Sequence, residues 1–260
     1  GRVALVTGAG RGIGRGVALC LAEEGAAIAV NDLADTSGGD SADAQEMARQ
    51  VRELGRAASI HSGDVSDAAQ MEAAVAGAVA AHGRLDIAVA NAAFSIREPV
   101  IEARWEHVER TLAVTQHGVY HTCRAAARQM VRQGGGGKIV IIGSIMADLS
   151  VPSSAAYTMA KAAVNSLART LAAELAPHRI NVNIVNPGYI DTPGERRFAS
   201  EEQIARAGSQ IPWKRLGTPR DIGRAVAFLC SDDADYITGS ALRVDGGYMV
   251  GLQLPPPSDD

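Results

Sequence analysis

Val3-Ala4-Leu5-Val6-Thr7-Gly8-Ala9-Gly10-Arg11-Gly12-Ile13-Gly14 is the stretch that decides the fold. Residues 3–6 are a short apolar run that suits a buried strand, and an Ala/Leu-rich helical pattern follows the glycines as far as Gly25. The order is strand, glycine turn, helix. Glycines let the backbone turn sharply and come close to a phosphate, while the first turn of a helix offers unpaired amides and a positive dipole end to its charge. The spacing Gly8-x-x-x-Gly12-x-Gly14 differs from the commoner G-x-G-x-x-G order, and a glycine turn alone is a weak signal.

The sequence beyond the turn strengthens it. Residues 27–30 predict a second strand, with Asp32 just past its end, where an acidic side chain about 20 residues after the glycines binds a ribose 2′-hydroxyl. The pattern then alternates: helix over 41–54, strand over 57–61, helix over 68–82, strand over 85–90. Such alternation predicts an α/β fold, a three-layer, Rossmann-like, doubly wound parallel sheet with helices on both faces. Ligands of such sheets bind at the carboxyl ends of the strands.

Residues 138–142 are another β-branched run, and Ser144 lies just past its end. After a loop with Pro152, Ser153 or Ser154 is a candidate N-cap for an Ala-rich helix running through Leu175, before Pro177. Tyr157 and Lys161 stand four apart on that helix and so share a face, where an ammonium near a phenol favours the ionised phenol. A phenol with a lowered pKa can exchange a proton with a substrate oxygen that Ser144 holds by a hydrogen bond. Ser, Tyr and Lys at these intervals are also common on solvated helix faces.

Composition narrows the partners. A chain of 260 residues without a charged, Ser-rich or Pro-rich linker fits one domain over residues 1–252, with 253–260, which hold Pro255 to Pro257, as a flexible tail. The formal net charge of −4 and the scattered Lys and Arg leave no basic stripe for a nucleic acid. Cys20, Cys123 and Cys230 are odd in number and form no C-x-x-C pair, which suits buried thiols in a reducing compartment. His117 and His121 form a metal-like pair without a third ligand, so no metal is expected. With no signal-peptide pattern and no membrane-length apolar run, the expectation is a cytoplasmic protein without a membrane partner.

Thr7-Gly8-x-x-x-Gly12-x-Gly14, Asp64-Val65, Asn91-Ala92, Ser144, Tyr157-x-x-x-Lys161 and Pro187-Gly188 occur in order, and from end to end the chain resembles the short-chain dehydrogenase/reductase family. The resemblance implies a single-domain fold around a seven-stranded parallel sheet, a nicotinamide cofactor and a homotetramer or homodimer. It implies Tyr157 as general acid/base, Lys161 as its pKa-lowering partner on the nicotinamide ribose, and Ser144 as the group that orients the substrate oxygen. Gly8, Arg11, Gly12, Ile13 and Gly14 would form the phosphate turn. Asp64 and Val65 would meet the adenine and Asn91 its ribose, although Asp64 also suits a helix cap and Asn91 a strand-end turn. Pro187, Gly188, Ile190 and Thr192 would be further cofactor contacts, with Thr192 on the carboxamide.

Two positions depart from the family pattern. Ala90-Asn91-Ala92-Ala93 stands where N-N-A-G is usual, and Thr115 stands where a helix Asn helps relay protons from the Lys through water. Threonine still donates and accepts, with a shorter reach.

The remaining expectations concern substrate and assembly. Residues 189–213, with a short helix over 201–207, resemble a substrate lid. Phe94, Met146, Leu149, Tyr189 and Trp213 are candidate pocket walls, and Arg196 and Arg197 candidates to meet a polar or anionic group. A helix over 219–229 and a strand over 241–244, before Asp245-Gly246-Gly247, close the sheet. Ala155, Ala156, Ala160 and Ala163 offer a small-residue face for subunit contact. The function expected is hydride transfer between a nicotinamide and a secondary alcohol or ketone, with Asp32 favouring NAD over NADP. The rivals are an NADPH-linked 3-oxoacyl reductase, for which Arg11 speaks, and a catalytically idle dinucleotide sensor.

Overall fold

The computed structural model describes residues 1–197 and 200–251; the expected tail, 253–260, lies outside the described residues. Its first strand, β1 (Val3–Thr7), is buried throughout. Because successive strand side chains point to opposite faces, Ala4 and Val6 enter one apolar cluster and Leu5 the other. The helices α1 (Gly12–Glu23), α2 (Ala42–Glu53) and α8 (Pro219–Leu229) cover the first face through Val17, Met47 and Ile222. The opposite face is covered by α3 (Ala68–His82), α5 (Gly118–Gln133) and α6 (Ala155–Leu175), through Val75, Cys123 and Val164.

The other strands are β2 (Ala27–Asn31), β3 (Ala58–Ile60), β4 (Ile87–Ala90), β5 (Gly137–Ile142), β6 (Ile180–Pro187) and β7 (Ala241–Val244). All seven are parallel, in the order β3-β2-β1-β4-β5-β6-β7. The order reverses between β1 and β4, which opens a crevice above their carboxyl ends. Between β4 and α5 lie α4 (Trp105–Leu112) and a π-helical turn, Ala113–His117, and between β6 and α8 lies α7 (Glu201–Gln210). No helix among the described residues is long and apolar enough to cross a membrane.

Local chemistry explains the helix starts, with one correction. Ser41 caps α2 by accepting from the Ala44 amide, and Asp67 caps α3 by accepting from Ala69 and Gln70. At α6, Ser154 occupies the N-cap position but its side chain caps no amide, and Ser153 adopts φ 64°. The entry to α6 is instead held by its own backbone turn, with the Thr158 amide on the Ser154 carbonyl. Of the small-residue face, Ala160 is fully buried, while Ala155, Ala156 and Ala163 are partly exposed. The apolar side chains left exposed on this side are Tyr120 and Val131 of α5 and Met159 of α6.

Candidate active site

The crevice begins at the glycine turn. Gly8 and Gly12 adopt φ 62° and 55°, left-handed conformations that suit glycine, and a Cβ on Gly14 would collide with the Gly8 carbonyl. The Arg11 side chain caps no amide at the start of α1, which leaves that helix end open to an anion. Asp32 stands past β2, where its carboxylate accepts from the Gly10 amide at 2.7 Å and the Leu33 amide at 2.8 Å. The Gly10 carbonyl accepts from Arg15 Nε at 2.7 Å, and the Arg15 guanidinium reaches Asp43 at 3.5 Å. Arg15, which the sequence reading missed, thus braces the turn from the solvent side, while Arg11 is exposed.

The expected cofactor contacts divide into groups that face the crevice and groups that build it. Asp64 accepts from Arg110 and from the amide and hydroxyl of Ser66, at 2.8, 2.9 and 2.7 Å. Burial alone would raise its pKa, but these bonds together hold it below the usual carboxylate value. The helix cap in this segment is Asp67, not Asp64. Val65 packs with Met71 and Val114 in a small cluster. Asn91 spends its side-chain amide on the carbonyls of Thr7 and Gly8, at 2.8 and 3.2 Å, so it ties β4 to the glycine turn. Ile13 and Ile190 turn their side chains to the core, which leaves only their backbone to a ligand. Pro187 ends β6, Gly188 fits tightly against Asp245, and Thr192 reaches the position a Cβ on Gly12 would contact at 3.6 Å. An open helix end, a turn with no room for side chains and an acceptor past β2 together fit a dinucleotide.

Ser144, Tyr157 and Lys161 converge at the carboxyl end of β5. The Ser144 amide is fixed by Asn186 Oδ1 at 3.0 Å, and Asn186 is held in turn by Asn165 at 3.2 Å. A Cβ on Gly143 would collide with that same Asn186 oxygen, so the glycine permits the clasp. Ser144 Oγ accepts from the Met146 amide at 3.1 Å, which leaves its proton free to donate. Lys161 is 1% exposed, donates to the Ile142 carbonyl at 2.7 Å, and lies 5.5 Å from the centroid of the Tyr157 ring.

The electrostatics correct the sequence expectation. Burial pushes the Lys161 ammonium down to about 7. Tyr157 is pushed up to about 12, again by burial first, with the Ser144 hydroxyl and Arg97 pulling down and Glu195 pushing up. Desolvation thus outweighs the single favourable charge expected at Tyr157 and drives both groups toward their neutral forms.

Thr115 lies in the π-helical turn, fully buried. Its hydroxyl donates to the Phe94 carbonyl at 2.7 Å and accepts from the Phe94 amide at 2.9 Å. The one proton it can donate is therefore spent on fixing the segment after β4.

The mouth of the crevice is built from loops. Arg97, from the segment after β4, reaches Glu195 across the site at 3.1 Å, and burial first, then the same carboxylate, push the Tyr189 phenol up. Neither Arg97 nor Glu195 stands out in the sequence, where they are nearly a hundred positions apart. Arg196, an expected anion contact, is tied to Asp191 and Glu201 within its own segment, and the side chain of Arg197 lies outside what is described. Trp213 is 71% exposed beside Arg215, while Phe94 lies under the Arg110 guanidinium.

Comparison with known proteins agrees with this geometry. A family profile described as enoyl-(acyl carrier protein) reductase, of the short-chain alcohol dehydrogenase type, matches residues 8–249. The chain is 40% identical over 254 residues to an L-rhamnose 1-dehydrogenase (NAD(P)(+)) of Sphingomonas sp. (strain SKA58), covering 97% of this chain and 98% of that one. It is 37% identical over 253 residues to a glucose 1-dehydrogenase of Gluconobacter oxydans, covering 96% and 92%. Among solved structures, a short-chain type dehydrogenase/reductase from Mycobacterium marinum superposes with a TM-score of 0.88 at 36% identity, covering 95% of each chain.

Proposed function

This chain belongs to the short-chain dehydrogenase/reductase family, and we propose that, as an NAD(P)-dependent oxidoreductase of CH–OH groups, it prefers NAD and interconverts a secondary alcohol and its ketone. The observation that carries this reading is the meeting of Ser144, Tyr157 and Lys161 at the end of β5, beside a glycine turn shaped for a phosphate.

When bound, the nicotinamide accepts or returns the hydride. Gly8, Gly12 and Gly14 would hold the phosphates, Asp32 the adenosine ribose, Asp64 and Val65 the adenine, and Thr192 the carboxamide. Ser144 donates to the substrate oxygen, Tyr157 takes or gives that oxygen's proton, and Lys161 carries the compensating charge. Because burial disfavours charge on both Tyr157 and Lys161, passing the tyrosine proton to the lysine turns a neutral pair into a buried ion pair. A docked nicotinamide ribose would give the Lys161 amino group a second partner.

The preference for NAD rests on Asp32, whose carboxylate is pinned by two backbone amides where a 2′-phosphate would have to sit. Two like charges ~4 Å apart cost about 4 kcal/mol at an effective dielectric of ~20, before relaxation. Arg15 lies close by, but its guanidinium is engaged with Gly10 and Asp43. In assays of secondary alcohols, sugars among them, kcat/KM with NAD should exceed that with NADP by at least roughly tenfold, and Asp32→Ser should shrink the ratio. Equal efficiency with NADP in the unaltered protein would contradict the preference.

A homotetramer is proposed on two exposed apolar surfaces. One carries Tyr120, Val131 and Met159, and the other Phe228 with Leu242 of the edge strand β7. An unpaired edge strand is a surface that proteins cover. Light scattering that gave only monomer at micromolar concentration would overturn this. A single domain over residues 1–252 and a cytoplasmic location remain part of the same reading.

A further inference from the structure

Two charges from connecting segments, Arg97 and Glu195, act on Tyr157. Arg97 extends from the segment after β4, and Glu195 from a 3-10 turn, Glu195–Arg197, in the segment after β6. Their side chains are 35% and 21% exposed, so the pair is partly withdrawn from water. The Glu195 amide donates to Thr192 Oγ1 at 3.2 Å, which ties its backbone to a residue that lies beside Gly12. Glu195 also acts on Tyr189, and both charges act on Tyr157. Neighbouring charges are engaged elsewhere: Glu98 with His107, Arg196 with Asp191 and Glu201, and Arg110 with Asp64.

We propose that Arg97, Glu195 and Tyr189 form a polar clamp over the catalytic tyrosine that selects uncharged, polyhydroxylated alcohols and disfavours substrates bearing a carboxylate. This rests on the dehydrogenase reading above. The chemistry follows from the donor and acceptor inventory. A hydroxyl both donates and accepts, and here a guanidinium and a phenol donate while a carboxylate accepts. Adjacent hydroxyls of a carbohydrate can therefore satisfy the clamp without separating its charges. A purely apolar alcohol would cover the Arg97–Glu195 pair without offering it a partner, at a desolvation cost. A substrate carboxylate brought to Arg97 would stand beside Glu195, placing two negative charges in one partly buried mouth.

The test uses the full-length enzyme with NAD and three kinds of substrate: neutral sugars (L-rhamnose, D-glucose, D-galactose), the sugar acid D-gluconate, and cyclohexanol. The clamp requires kcat/KM for at least one neutral sugar to exceed that for gluconate and for cyclohexanol by about tenfold or more. Glu195→Gln should lower the sugar value mainly through KM, by about tenfold more than it lowers the cyclohexanol value, and should raise gluconate relative to sugar. Preference of the unaltered enzyme for gluconate or cyclohexanol, or an equal loss on all three in Glu195→Gln, would overturn the clamp. Binding of the same sugars and of gluconate to the enzyme–NADH complex, followed by nicotinamide fluorescence, separates the two readings. Sugar binding that Glu195→Gln weakens supports the clamp even without turnover, in which case the dehydrogenase reading is what fails. Absence of sugar binding overturns the clamp whatever other alcohol is oxidised.

Discussion

Below Tyr157, the site rests on regular structure: Ser144 follows a six-residue strand, Lys161 lies one turn beyond Tyr157 in a 21-residue helix, and a buried asparagine and a backbone carbonyl fix them. Above it, Arg97, Tyr189 and Glu195 come from two connecting segments and meet only when the sheet brings those segments together. The lower half depends on i, i+4 geometry and strand ends, which a reader can count along a sequence. The upper half depends on where loops of different strands finish, and no periodicity records that. On the function and clamp proposed here, the proton chemistry lies in the countable part and choice of substrate in the other.

The largest expected effect belongs to the lower half. Tyr157→Phe keeps the ring and its packing but removes the proton donor, so turnover should fall by roughly 10²- to 10⁴-fold. Cofactor affinity, measured by fluorescence titration, should stay within about threefold, since the phenol contributes at most one weak hydrogen bond there. Near-normal turnover in this variant would move the chemistry away from Tyr157 and dissolve the contrast between the two halves.

Lys161 sharpens the comparison through pH. Its amino group is pushed down from 10.5 to about 7 by burial. Between those values the folded state binds fewer protons than the unfolded chain, so the stability attributable to Lys161 rises with pH across that window. Below about pH 7 both states hold the proton, and the full penalty of burying the charge is felt. Relative to Lys161→Met, the unaltered apoprotein should gain stability toward urea as pH rises from about 7, by no more than about 1.4 kcal/mol per pH unit. Parallel stability curves for the two proteins would mean that a counter-charge compensates the lysine.

What the sequence made legible follows the same division. Six of the parallel strands and the places of Ser144, Tyr157 and Lys161 stand where pattern and spacing put them; the count of seven comes from the family resemblance, and β6 has no reading of its own. The direction of the Tyr157 shift did not, because a pair of residues read along a helix reveals the favourable charge but not the desolvation around it. Asn186 also escaped notice, since one of three Asn in a buried strand gives no sign that it faces Gly143 and Ser144. Arg196, a candidate anion contact, is engaged for a local reason, as Asp191 and Glu201 lie close enough in sequence to pair with it.

Thr115 sits on the border between the halves and gives the smallest effect and the finest discrimination. Its hydroxyl both donates to and accepts from the Phe94 backbone, and so it anchors the segment that goes on to present Arg97. Thr115→Val keeps the shape and removes that clasp, leaving an amide and a carbonyl of Phe94 to find water. The expected cost is about 1–2 kcal/mol in urea unfolding, from the lost bonds and partial desolvation of their partners. If the residue acts through position, kcat/KM should fall severalfold, more for sugars than for cyclohexanol, while the pH dependence of kcat keeps its shape. If it relays protons, the pH profile should shift while stability barely changes. The first outcome extends the loop-built half of the site down to the π-helical turn; the second places Thr115 with Tyr157 and Lys161.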